Sequence, residues 1–269
     1  SMACSEAYCN NAQVVVVKAD VADKYQTADS LSELAFAVEA GSAGEAAVKE
    51  LGIEPVAVQS QAAALMEVKA GTADACVIDL LMAGAMIGEG TSYPDLTYDA
   101  EQKLTTEEYG IGCRKGSDLA AFINNVLAET YADGSMKKVA DTYKLADAMV
   151  EQAAPDANYT VPTDGDVAYI QNKGKLVVGI TEFEPMDYKD ASGNWIGFDA
   201  DMAKLVAEKL GVDIEFTVIN WDNKIMELDS KAIDVVWNGM TLTDEVKSAM
   251  ECTNPYFNNA QVVVTKAAE

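Results

Sequence analysis

The sequence predicts an α/β fold with mostly parallel sheets, and three observations carry that expectation. Short apolar runs alternate with amphipathic stretches along nearly the whole chain, the pattern of strand–helix units. Cap and turn residues fall where those helices should start and stop. The 269 residues are 49% hydrophobic and 23% charged, which is a globular composition and enough chain for one large domain or two small lobes.

Residues 34–39 (LAFAVE) read as a strand that leads through residues 40–44 into a helix ending at Leu51, before Gly52. Residues 56–58 form a short strand. Ser60 suits the N-cap of a helix that carries Leu65, Met66 and Val68 and closes at Gly71. Residues 73–79 are an apolar strand ending in Asp79, and residues 109–114 are another strand. Residues 119–145 read as two helices broken at Asp133-Gly134. Residues 153–174 are rich in turn formers and weak in periodicity, so a linker is expected there. Beyond it come a strand over 175–180 and an amphipathic helix over 199–210, with Met202, Leu205, Val206 and Leu210 on one face. A strand over 213–220, a helix over 223–230 and a strand over 233–239 follow, and Thr243 caps a last helix to Met250.

Composition narrows the function classes. A formal net charge of −25 repels phosphate backbones and anionic membranes, so no nucleic-acid partner is expected. No apolar run is long enough to span a bilayer, and no signal segment is recognisable behind Ser1-Met2, which reads as an expression remnant. Histidine is absent, which removes the commonest general base and metal ligand. The cysteines are too scattered for a zinc site, and Cys76 and Cys113 read as buried structural thiols. Neither a metal nor a cofactor is expected.

A repeat sits at the two ends. Residues 2–18 (MACSEAYCNNAQVVVVK) match residues 250–266 (MECTNPYFNNAQVVVTK). A segment found at both ends is what results when a continuous fold is opened within that segment.

Several motifs resemble one family. Residues 173–180 (KGKLVVGI), 197–203 (GFDADMA), 233–243 (IDVVWNGMTLT) and 254–256 (NPY) resemble the N-terminal half of the polar amino-acid solute-binding proteins of ABC importers. Residues 36–45, 71–79 and 109–116 resemble their C-terminal half. The resemblance implies a two-lobed clamshell of the type II periplasmic-binding-protein class, in circularly permuted order or cut from tandem copies. It places lobe two at residues 12–110, terminal helices that pack on lobe one at 111–152, the linker at 153–174 and lobe one at 175–258. The duplicated crossover strand falls at 2–18 and 250–266.

The same resemblance implies an extracytoplasmic, non-enzymatic protein that captures a polar amino acid or another ammonium-bearing solute between its lobes and delivers it to an ABC transporter permease. Asp79 matches the acid that pairs with the ligand ammonium. Gly41, Ser42 and Ala43 in lobe two, and Gly239, Met240 and Thr241 in lobe one, match helix-entry stretches that suit an anionic group. Asn238 adjoins them, and Phe183 with Glu184 occupies the turn where an aromatic packs on the ligand; Phe183 reads equally well as a core residue. One departure matters. The family usually carries an arginine after Thr-x-Glu to hold the α-carboxylate, and here Thr243-Asp-Glu puts Val246 at that position. The acids Asp79, Glu182, Glu184 and Asp244 then point to a cationic ligand. Two other readings stand beside this one: a dehydratase-like enzyme working through cleft carboxylates, and an engineered sensor or receptor ligand-binding domain.

Overall fold

A computed structural model describes residues 13–18, 28–98 and 104–260. Among these the chain forms two compact units. The first holds the residues up to 107 together with 182–184 and 259–260, and the second holds 108–181 and 185–258.

The first unit contains β1 (Gln13–Lys18), α1 (Ala28–Leu31), β2 (Phe36–Glu39), α2 (Ala43–Glu50), β3 (Val56–Val58), α3 (Gln61–Ala70), β4 (Ala75–Asp79), α4 (Leu80–Met86) and β5 (Leu96–Thr97). Its sheet runs β3-β2-β4-β1-β5, with β2, β3 and β4 parallel and β1 antiparallel to β4. Every residue of β2 and β4 is buried, as central parallel strands covered on both faces require. Leu31, Leu34, Phe36, Val38, Val48, Ala75 and Val77 form the core between sheet and helices. The caps are local. Ser60 Oγ accepts from the Ala63 N–H at the start of α3, and Gly71, at φ +82°, ends it in the left-handed conformation.

A long strand, β6 (Thr106–Cys113), leads into the second unit, which adds α5 (Leu119–Ala132), α6 (Ser135–Thr142), α7 (Gly165–Lys173), β7 (Lys175–Ile180), β8 (Tyr188–Lys189), β9 (Trp195–Ile196), α8 (Phe198–Leu210), β10 (Asp213–Val218), α9 (Lys224–Asp229), β11 (Val235–Thr241), α10 (Asp244–Ala249), β12 (Glu251–Cys252) and β13 (Phe257–Ala260). The sheet order is β10-β7-β11-β6-β12, with β13 also on β6. Here too the central strands β10, β7 and β11 are parallel, while β6 runs antiparallel to β11. Cys76, Cys113 and Cys252 are buried.

Three local differences from the sequence reading have physical causes. The stretch read as a linker, residues 153–174, holds α7. That helix buries Val167 and Ile170, and Asp118 accepts its first N–H groups, from Asp166 at 2.8 Å and Val167 at 3.0 Å. The helical run α4 follows β4 with no break residue, so nothing in composition separates the two. On α8, Leu205 is only partly buried, and the small residues Ala203 and Ala207 complete the packed face. Residues 2–12 of the duplicated segment, and its valines 262–264 at the other end, lie outside the described residues.

The only arginine in the chain anchors the second sheet. Arg114, at the end of β6, donates to Asp166 at 3.0 Å and to the Ile233 carbonyl at 2.8 Å, and it pairs with buried Asp234. Asp234 also takes Lys173 and the Val177 N–H, so β6, β7, α7 and the entry to β11 share one charge cluster. Gly197 starts α8 at φ +122°, and a Cβ there would lie 2.1 Å from the Met186 carbonyl oxygen. Gly197→Ala is therefore expected to lower unfolding free energy by at least about 2 kcal/mol in denaturant titrations, because it adds backbone strain to a backbone clash.

Candidate ligand-binding residues

In the first unit the candidates gather at the carboxyl ends of the parallel strands, the edge where open α/β sheets bind ligands. Asp79 ends β4 and is buried. Its N–H donates to Gln61 Oε1 at 2.8 Å, and Gln61 Nε2 donates back to Asp79 Oδ2. This two-point clasp fixes the carboxylate's rotamer. Glu39, also buried, ends the neighbouring strand β2. Ser42 and Ala43, partly exposed, begin α2. The Ser42 hydroxyl accepts the Glu45 N–H at 3.1 Å, while the Glu45 carboxylate takes the Gly41 N–H at 2.7 Å, a variant of the capping box. The positive end of α2 therefore already faces a carboxylate of its own chain, which weakens its pull on an external anion.

In the second unit the residues around β11 are tied inward. Asn238 Oδ1 accepts the Thr181 N–H at 3.0 Å and its Nδ2 donates to Thr181 Oγ1 at 2.8 Å, locking the ends of β7 and β11 together. The Gly239 N–H donates to Asp199 Oδ2 at 2.6 Å. The groups expected at a ligand from Asn238 and Gly239 are thus spent on this unit. Met240 is buried against Gly112, and Thr241 is partly exposed opposite Tyr109. In the 182–184 segment, which belongs to the first unit, Phe183 is buried and Glu184 is half-buried, and burial pushes the Glu184 carboxyl up. Val246 lies buried in the first turn of α10, its N–H capped by the Thr243 hydroxyl at 3.1 Å.

Composition and spacing did not single out Gln61, Thr181, Asp187, Asp199 or Tyr256. Asp199 and Tyr256 fall inside the motifs at 197–203 and 254–256, which served only as family markers. The Tyr256 hydroxyl donates to Asp199 Oδ1, and the Tyr256 ring stacks on Phe198 at 5.6 Å. Burial raises the Asp199 carboxyl to about 7, against the lowering effect of its donors Tyr256 and Gly239. Asp187 is fully buried, and neither of its oxygens is hydrogen-bonded among the described residues. Burial first, and the Asp199 charge second, push its carboxyl well above the usual range, with Lys204 opposing and Asp201 adding. In both carboxyls burial favours the protonated form over the charged one. Among the described residues, no cluster of three or more His, Cys, Asp or Glu is placed to hold a metal, and no helix is long and apolar enough to cross a membrane.

Residues 176–269 match the bacterial extracellular solute-binding proteins, family 3. Over 95 residues the chain is 35% identical to the arginine-binding extracellular protein of Bacillus subtilis, covering 35% of this chain and 37% of that protein. It is 32% identical over 108 residues to the L-cystine-binding protein of Escherichia coli K12, covering 39% and 41%. A solved ancestral cationic amino acid solute-binding protein is 40% identical over 30% of this chain and 36% of its own, with a TM-score of 0.30. The cyclohexadienyl dehydratase of Pseudomonas aeruginosa is 27% identical over 37% of this chain and 38% of that enzyme. The chain therefore spans about two fifths of the length of the curated relatives it matches. Its mixed α/β architecture is consistent with the two-lobed type II class.

Because burial raises the folded-state carboxyl of Asp199 to about 7, its contribution to stability is full below the unfolded value near 4 and is lost as pH climbs through about 7, and the raised carboxyl of Asp187 acts in the same direction. Urea melts from pH 4.5 to 8 should show wild type losing more stability with rising pH than Asp187→Asn, in which one titrating partner is gone.

Proposed function

We propose that the protein is an extracytoplasmic solute-binding protein that captures a polar amino acid, or a related solute bearing an ammonium or other cationic group, for an ABC importer and its permease. The observation that carries this reading is Asp79: a buried carboxylate, held in one rotamer by Gln61, at the ligand edge of a parallel sheet. A positioned and desolvated carboxylate binds a cationic group far better than an exposed one, because little solvent competes and little side-chain entropy remains to be lost. Buried Glu39 on the adjacent strand adds negative charge at the same edge. The matching family is one of solute-binding proteins, and relatives named for arginine and cystine binding support an amino-acid ligand. The permuted order of the two halves belongs to this proposal, and its support is the segment repeated at residues 2–18 and 250–266.

With Val246 where the resemblance calls for arginine, the α-carboxylate of a free amino acid loses its bidentate partner. That favours ligands recognised mainly through positive charge. A second reading, carboxylate-dependent elimination, draws on the dehydratase relative and on Glu184, whose half-buried carboxyl is raised. Mass spectrometry of the copurifying small molecule, followed by incubation with candidates, separates the two: reversible saturable binding supports capture, and a chemically altered product supports elimination.

Asp79→Ala is expected to weaken binding of the copurifying solute by about 1.5–3 kcal/mol in calorimetry, the range for a charge-assisted hydrogen bond. Unchanged affinity removes Asp79 from the site. Val246→Arg should raise affinity for ordinary polar α-amino acids; flat affinity in a folded variant means that α10 does not approach the ligand carboxylate.

A further inference from the structure

The first unit's sheet is completed by a strand whose sequence the chain carries twice. β1 lies between β4 and β5, with Gln13 opposite Asp79, Val14 opposite Ile78, Val16 opposite Cys76 and Val17 opposite Ala75. Val14 and Val16 are fully buried. Residues 261–266 read QVVVTK against QVVVVK in β1. Val262 and Val264 stand for the two buried valines, and the one change puts Thr265 for Val17. Threonine is β-branched like valine and suits a strand equally well. The place that β1 fills therefore fits either copy.

The second unit distinguishes the copies. There Phe257 packs edge-on against Phe198 at 4.3 Å, the Tyr256 hydroxyl donates to Asp199, and Thr253 Oγ1 accepts the Ile111 N–H at 3.1 Å. The N-terminal copy keeps a hydroxyl in Ser5 and the phenol in Tyr8 but has Cys9 where Phe257 stands, and a thiol cannot replace a ring. Phe257 thus selects the C-terminal copy for the second unit. From there the chain enters the first unit at Asn259, just ahead of Gln261.

We propose that the place between β4 and β5 is a strand-docking site with two interchangeable occupants, and that residues 261–266 of the same chain enter it when residues 13–18 leave. The incoming strand keeps the register, with Gln261 opposite Asp79 and Thr265 opposite Ala75. Exchange costs little, because the buried positions receive the same side chains and the N–H and C=O groups of β4 regain partners. An empty place would leave those groups unpaired and open valine-sized voids. The occupant is the chain's own segment because Asn259 and Ala260, which belong to the first unit, tether it there at high effective concentration.

The test is thermal melting of the full chain and of Val16→Lys, Val264→Lys and the double variant, with limited trypsin digestion after Lys18 and sedimentation. A lysine at position 16 or 264 bars that copy from a buried position. Val264→Lys should melt as wild type does. Val16→Lys should lose only a few degrees of Tm, while cleavage after Lys18 speeds up about tenfold or more, since the released N-terminal copy is open to protease. The double variant should lose its cooperative melt, far beyond the sum of the single shifts. Deleting residues 2–18, which introduces no charge, should reproduce the mild effect of Val16→Lys, and both proteins should sediment as monomers. If Val16→Lys and the deletion are as unstable as the double variant, the C-terminal copy cannot enter the site. If either is folded only as a dimer, the strand comes from a second molecule. Each of these results overturns the proposal.

Discussion

The carboxyl group of Asp199 is the point on which the second unit depends. It sits at the entry to α8, takes the Gly239 N–H from β11 on one oxygen and takes the Tyr256 hydroxyl on the other. Three segments far apart in sequence meet at one side chain. None of these groups reaches water, so removing the carboxyl would take an acceptor from a buried N–H and from a buried hydroxyl. The fully buried Asp187 beside it makes the arrangement costly unless protons are retained, and that ties the geometry of β11 to the protonation of this pair.

Charge is distributed with the same economy. Two basic groups sit where backbone segments are joined. Arg114 and Lys173 converge on Asp234, and Asp234 also takes the Val177 N–H. Buried ionic clusters of this kind contribute little net stability but penalise alternative arrangements heavily, so they act chiefly as registry devices for β6, β7 and β11. The abundant acids cap helices instead: Glu45 closes the start of α2 and Asp118 the start of α7. Acids at helix starts are favourable, and they leave fewer bare helix ends to attract anionic ligands.

Both units place their candidate ligand residues at the carboxyl ends of parallel strands but treat them differently. In the first unit Asp79 and Glu39 are buried acids at the ends of adjacent strands, Asp79 clasped by Gln61. In the second, Asn238 and Gly239 are clasped by Thr181 and Asp199, which leaves shape and the partly exposed Thr241 as the features a ligand can meet.

Element type and order were legible in the sequence wherever local chemistry decides them. Ser60 and Gly71 bracket α3, Thr243 caps α10 and the run at 175–180 is β7, because caps, glycine stops and apolar periodicity act over a few residues. Asp79 was visible too, as an acid closing an apolar strand. Where composition was ambiguous the reading failed: α7 hides in a turn-rich stretch because its cap, Asp118, lies 48 residues away. The same holds for the site. Gln61 clasping Asp79, Thr181 clasping Asn238, and the meeting of Asp187 with Asp199 and Tyr256 all join residues from separate strands and helices. Sequence determines which groups are available and the local backbone that carries them. Only the tertiary structure decides which of them lose water together, and burial is what raises the carboxyls of Asp187 and Asp199 above the ordinary aspartate value.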